Sequence, residues 1–344
     1  MAADGPWIVP ETLLAEGERA AWWVRDGRLT STPVDGATPL PGRFALPGLV
    51  DAHAHTSVGP GGPDTLDGTV ARIAALPGMG VLVVRDVGSP KSLTLRLRPD
   101  DAWPTFFAAG RWHAPAGRFY PEFHDPVEPA QLVESALAEI GNGATWIKVI
   151  ADFREPVLSY DAAVLRDLVT AAHAAGVRVA AHTQWPVVRD VVAAGVDSIE
   201  HGCLLDSETL EHMAAGGIAW TPTLTAFASR LAGDLPDAQR ERYARYLENY
   251  RAMLPLAASA GITILAGTDM AGTLVDEIRW LVDLGLTPVQ ALRAASTAAR
   301  TYLGVASLED GAPADLVTYD DDPREDPEVL NRPAAVVLRG RRIR

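Results

Sequence analysis

The sequence predicts an α/β protein, a (β/α)8 TIM barrel with a small β satellite. Two observations carry this. Eight short apolar runs are each followed by a helical stretch, the pattern of a parallel sheet covered by helices. Those units occupy about 230 residues, the size of one such barrel, whereas both chain ends alternate like exposed strands.

From Trp7 to about Phe44, short alternating runs such as AAWWVRDGRL with turn residues between them predict a few strands of a small sheet. The barrel runs follow at 44–55, 80–87, 105–112, 145–152, 177–183, 197–202, 218–224 and 262–269. Glycines close the intervening helices, as in HAAGV at 173–177, VAAGV at 192–196, MAAGGI at 213–218 and ASAGI at 258–262. After the eighth run, TPVQALRAASTAARTYLGV predicts one capped, Ala-rich helix. GAPADLVTYD and AAVVLRGRRIR then alternate again, so the C-terminus is expected to rejoin the N-terminal sheet. The acidic stretch 320–328 reads as a solvated loop. The expected division is a barrel over 44–306 and a small domain built from 1–43 and 307–344.

Composition narrows the function. At 344 residues, 48% hydrophobic and 22% charged, the chain is globular rather than disordered. Thirty basic against 44 acidic residues leave a net charge of -14, which repels phosphate backbones and predicts no nucleic-acid partner. The single Cys203 cannot form an internal disulfide, and MAADGPWIVPE lacks the pattern of a signal peptide, so a cytoplasmic location is expected. No apolar stretch reaches the roughly 18 residues of a membrane helix, and no membrane partner is expected. The sequence leaves the oligomeric state open, a homo-oligomer included.

In a closed barrel the chemistry sits at the C-terminal ends of the strands. His53 and His55 end the first run two residues apart, and period-2 geometry turns both inward. Lys148 lies in the fourth run, His182 ends the fifth, His201 the sixth and Asp269 the eighth. Singly, each has an ordinary reading: a hydrogen-bonded structural histidine, or for Asp269 a helix N-cap. Jointly, four of the chain's eight histidines at strand ends form a set of imidazole and carboxylate ligands suited to zinc. His173 and His212 fall in helical stretches and read as surface residues, Asp86 as a partner of Arg85 or nearby backbone, and Cys203 as packing.

Lys148 is one of only two lysines against 28 arginines, so its position asks for something a guanidinium cannot do. Flanked by Ile147, Val149 and Ile150, its amine is expected to be buried and pushed toward the neutral form. A neutral amine can take up carbon dioxide, and the carbamate could bridge two metal ions. The competing reading is an ion pair with an acid such as Asp152.

LPGLVDAHAHT, the lysine in GATWIKV, AHT, VDSIEHG, ILAGTD, TPVQALRAAST and GAPADLV together resemble the amidohydrolase superfamily, over about residues 43–320. The closest branch is that of the Xaa-Pro dipeptidases and imidazolonepropionase-related enzymes. The resemblance implies two divalent metals: His53 and His55 on the more buried one, carboxylated Lys148 bridging, His182 and His201 on the second. Asp269 would ligate the first metal and shuttle protons as the catalytic residue. It also implies that the chain ends form a small β-sandwich. Imidazolonepropionase resembles the mononuclear pattern without a bridging lysine, which sets Lys148 against that activity. Where the dipeptidase branch has Gly-His-Gly, this chain reads GRWHAPAGRFYPEFHD, with His113 near the expected place.

The expected reaction is water attack on an amide bond of a small molecule such as a dipeptide, an N-acyl amino acid or a cyclic amide. Alternatives are a lactonase or phosphotriesterase on the same centre, or a non-catalytic binding module, which loss of ligands would mark. His113, Arg118 and Tyr120 are expected to hold a substrate carboxylate or carbonyl, and Trp185, Thr223 and Phe227 to line an apolar pocket.

Overall fold

The computed structural model describes residues 3–15, 17, 19–59 and 61–344. Seven of the eight expected runs form parallel strands: Leu49–Ala54, Val81–Asp86, Thr105–Ala108, Trp146–Ile150, Arg178–Thr183, Ser198–His201 and Ala219–Thr221. They pair in chain order as a three-stranded and a five-stranded sheet, the latter opening with the short strand Trp112–His113 beside Trp146–Ile150. The Thr145 amide donates to Ala108 O at 2.8 Å and joins the two sheets. The eighth run is no ladder; it bridges its neighbours at Trp220↔Ile264 and Ala54↔Asp269. Ala52 N to Ala266 O at 2.9 Å and Leu265 N to Trp220 O at 2.8 Å complete the TIM-barrel-like closure.

This closure depends on Gly267. A Cβ there would lie 2.4 Å from His53 Cβ and 2.8 Å from His53 N, so only glycine lets the eighth segment approach the strand Leu49–Ala54 so closely. The glycines expected to stop helices, Gly176, Gly195, Gly217 and Gly261, all have positive φ.

Two expectations change. The run 44–55 is two strands: Phe44–Pro47 pairs with Leu316–Tyr319, and Leu49–Ala54 enters the barrel. The split falls at Pro47-Gly48, where a Cβ on Gly48 would meet the Leu82 side chain at 2.4 Å. The Ala-rich helix after the eighth run is two helices, Pro288–Ala294 and Thr297–Leu303, broken at Ser296, whose backbone (φ -147°, ψ -101°) is not helical.

Both chain ends do meet in one sheet. Ala3–Asp4, Arg341–Arg342, Ala335–Leu338, Leu316–Tyr319, Phe44–Pro47 and Thr12–Leu13 lie in that order, and Arg28–Thr30, Trp22–Arg25, Trp7–Val9 and Thr38–Pro39 form a second sheet. Trp7, Val9, Val24 and Leu29 of the second bury against Ala45, Leu316 and Val337 of the first, a core separate from the barrel's. The barrel interior below the strand ends is filled by Val50, Ala52, Val83, Trp146, Ala180 and Leu265.

Candidate metal centre

The C-terminal strand ends bring the expected ligands together. His53 and His55 both face inward, with ring centroids 5.2 Å apart. Their ligand atoms and those of Asp269 all lie within 4.8 Å of one another. Asp269 Oδ1 is 3.3 Å from His55 Nε2 and 3.9 Å from His53 Nε2. His201 lies beside His53 at 5.1 Å and beside His182 at 4.4 Å between centroids. Asp269 and His201 have φ of +56° and +66°, a left-handed backbone that non-glycine residues adopt where surroundings impose it. Asp269 is not the helix cap of the alternative reading, because the next helix, Leu274–Asp283, is capped by Thr273.

Three of the four imidazoles have Nδ1 committed, which presents Nε2 to the centre. His53 Nδ1 meets Glu200 Oε2 at 2.5 Å, His55 Nδ1 meets Gly88 O at 2.9 Å, and His201 Nδ1 meets Thr223 Oγ1 at 2.6 Å. This is how protein metal sites fix tautomer and ring orientation. His53 Nε2, His182 Nε2 and Lys148 Nζ are buried and have no hydrogen-bond partner. Burying three unpartnered polar atoms side by side is costly unless something binds them. A metal fits that donor set: neutral nitrogens, one carboxylate and a deprotonatable amine.

The electrostatics agree. Burial, and then the nearby Lys148, hold His53 well below the usual imidazole range. His182 and His201 are depressed in the same direction, burial again leading. Burial lowers Lys148 to about 8 although Glu200 and Asp269 pull it upward. Asp152 is not its partner: that carboxylate accepts from the Gln184 and Trp185 amides, at 2.9 and 3.2 Å.

Sequence reasoning missed what lies beneath the ligands. Glu200, fully buried, accepts from His53, from Arg85 Nη2 at 2.8 Å and from the Ser198 hydroxyl. Burial alone would raise its pKa, but Arg85, Lys148 and Ser198 together hold it below the ordinary carboxylate value. Arg85 also donates to Ala52 O and stacks over Trp146 at 4.6 Å. It therefore does not pair with Asp86, which accepts from Thr56 N and Oγ1, both at 2.7 Å. Adjacent strand residues face opposite ways.

Asp86 is one of four buried carboxylates that clamp the loop beside a ligand. Asp51 accepts from Thr268 next to Asp269, Asp152 from Gln184 beyond His182, and Glu277 from Leu224 and Thr225 beyond Thr223. An acidic residue inside an apolar run was the available signal.

Above the centre lies a chamber of about 510 Å³. Of the residues expected to contact substrate, Tyr120 and Phe227 line it, together with Phe119, Phe153 and, unforeseen, Arg154, Arg230 and Arg242. Four other expected contacts lie off its walls. Arg118 spends its guanidinium on Val157 O, Ser159 Oγ and Glu155. His113 is fully buried with Nδ1 on Lys148 O at 3.0 Å. Thr223 is buried against His201, and Trp185 stands outside the lining. A second cavity of about 500 Å³, mostly apolar, adjoins His55 and Asp269 on the side of Met79 and Leu274. His173 is exposed in its helix and meets Asp197, His212 is exposed, and Cys203 is buried with Tyr250 Oη at 3.2 Å.

Comparison with known proteins finds likeness both in sequence and in fold. The amidohydrolase family model matches residues 44–343. An uncharacterized protein of Mycobacterium tuberculosis is 36% identical over 339 residues, covering 93% of this chain and 90% of its own length. The ochratoxinase of Aspergillus niger is 28% identical over 221 residues, 58% of this chain and 45% of that protein. Among solved structures, a Bifidobacterium longum protein assigned as a prolidase superposes with a TM-score of 0.86 at 27% identity, covering 98% of this chain and 94% of that one. No helix among the described residues is long and apolar enough to cross a membrane.

Proposed function

We propose, for a chain that belongs to the amidohydrolase family and is a hydrolase acting on carbon–nitrogen bonds, that it cleaves the amide bond of a small dipeptide-like or N-acyl amino acid substrate at a centre of two divalent metals. The observation that carries this is the buried, unpartnered amine of Lys148 among bare imidazole nitrogens and the Asp269 carboxylate. His53, His55 and Asp269 would hold one metal, His182 and His201 the other, and Lys148 would join them as a carbamate. That carbamate forms when the neutral amine adds to carbon dioxide and gives up a proton. Two such cations, zinc being suited to these ligands, would supply a water of lowered pKa and polarise a carbonyl.

The chain's own residues do the rest. Asp269, at the mouth of the barrel and held by the Asp51 to Thr268 clamp, takes the proton of the attacking water and returns it to the leaving nitrogen. Glu200 and Gly88 O keep His53 and His55 turned toward the centre. Phe119, Tyr120, Phe153 and Phe227 narrow the chamber and exclude bulk water. The sheets from the two chain ends serve as a small sandwich that anchors the barrel's first strand. Similarity to a structure assigned as a prolidase and to an ochratoxinase supports the choice of an amide over an ester or phosphoester substrate.

Lys148→Arg tests the reading. A guanidinium stays charged and cannot be carboxylated. The variant is expected to lose at least one metal and nearly all hydrolysis, and Lys148→Ala to regain part of both with added short-chain carboxylate. A fully metallated, active Lys148→Arg protein would overturn the bridged centre.

A further inference from the structure

Three guanidiniums reach one chamber from three separate elements. Arg154 sits at the tip of the hairpin joining Asp152–Phe153 to Glu155–Leu158, Arg230 in the helix Leu224–Leu231, and Arg242 in the helix Asp237–Ser259. None of them is within 4 Å of a carboxylate of the described residues, whereas Arg72, Arg85, Arg111, Arg118 and Arg189 each meet an acid. Arg154 and Arg230 are exposed and Arg242 half-buried, so the three stand at the solvent-facing side of one chamber and concentrate positive charge there in a chain with 44 acidic and 30 basic residues.

Their contacts are with aromatic rings and one phenol. Arg154 lies over Phe153 at 4.7 Å and Tyr120 at 5.3 Å, and Arg242 over Tyr243 at 5.4 Å. Arg230 Nη1 donates to Tyr243 Oη at 3.3 Å. Ring faces hold a guanidinium in place without using its edge, so most of the five N–H donors on each remain available, and Arg242 Nε is buried with no partner at all. Arg230 lines the same chamber as His182 and Asp269, the space in which a substrate would lie. One carboxylate is satisfied by one bidentate guanidinium. Three exceed what the single α-carboxylate of a neutral dipeptide can use.

We infer that the amine half of the substrate carries a second negative charge beside its α-carboxylate, so that the preferred substrates are amides of aspartate or glutamate, with Arg154, Arg230 and Arg242 as the specificity-determining residues. The inference rests on the amide-hydrolase reading, and its test separates the two. Hydrolysis of Ala-Glu is compared with that of its isostere Ala-Gln by the metal-loaded protein. Ala-Glu should have a KM lower by about fivefold to tenfold, the range for a charge-assisted hydrogen bond at a solvent-facing rim, with similar kcat. Arg242→Gln and Arg154→Gln should each bring that ratio toward one. Independently of turnover, calorimetry on the chelated protein should show L-glutamate binding more tightly than L-glutamine. Equal KM for the two dipeptides together with equal binding of the two amino acids overturns the inference and leaves amide hydrolysis standing. If no dipeptide or N-acyl amino acid is cleaved, the functional reading falls, and the glutamate-to-glutamine comparison still decides the charge selectivity.

Discussion

Glu200→Gln removes the charge that joins the ligand layer to the core. Glu200, His53 and Arg85 are all fully buried, and the carboxylate serves His53 Nδ1 and Arg85 Nη2 at once. Removing one partner of a buried ion pair typically costs about 3–5 kcal/mol, because the remaining charge is stranded in low dielectric. The amide oxygen of glutamine can still accept from Arg85 and Ser198, which share one carboxylate oxygen, but not from His53 at the other, which places the expected loss at about 3 kcal/mol. Unfolding entropy of about 2.1 cal/mol/K per residue makes that about 4 °C in Tm for a cooperative chain of 344 residues. His53 also loses the acceptor that fixes its tautomer, so metal affinity should fall by about 10- to 100-fold. Differential scanning calorimetry of the metal-free protein and competition with a chelator of known affinity measure the two effects separately. A variant with unchanged Tm and unchanged metal affinity would refute the proposal that this network supports the centre.

Asp269→Asn should keep the fold and lower kcat by about 10² to 10⁴, the range for losing a general acid or base, and a kcat within a factor of ten would assign the proton transfer elsewhere. Glu277 is raised to about 7 by burial, above its unfolded value near 4.5. Its contribution to stability is thus fully present below about pH 4.5 and is lost as pH rises through about 7. Melting temperatures of the wild type and Glu277→Gln across pH 5 to 8 should show a fall in the wild type that is shallower in the variant, and parallel curves would reject this.

The barrel and its cluster of candidate ligands are legible because both depend on local pattern. His53, His55, His201 and Asp269 stand out as polar ends of apolar runs, and Lys148 stands out because the chain otherwise uses arginine. What stayed hidden depends on partners distant in sequence. Arg118 looked like a carboxylate binder until the hairpin after Asp152 brought Glu155 and Val157 O to it. That same hairpin put Arg154 into the chamber instead. Glu200 was read within its motif, but nothing in VDSIEHG tells that it faces Arg85 across the barrel floor. The break at Pro47-Gly48 does carry a local mark, a Pro-Gly turn dipeptide inside the apolar run, whereas the break at Ser296 has no proline or glycine to mark it.

The central claim is that Lys148 is a carbamate shared by two metals. It is tested most directly by counting metals in the purified protein by mass spectrometry while recording the ¹³C NMR spectrum after incubation with ¹³C-bicarbonate. The expected result is close to two divalent metals per chain and a carbamate resonance that Lys148→Ala abolishes. One metal per chain in a fully active protein, with no carbamate resonance, would contradict it.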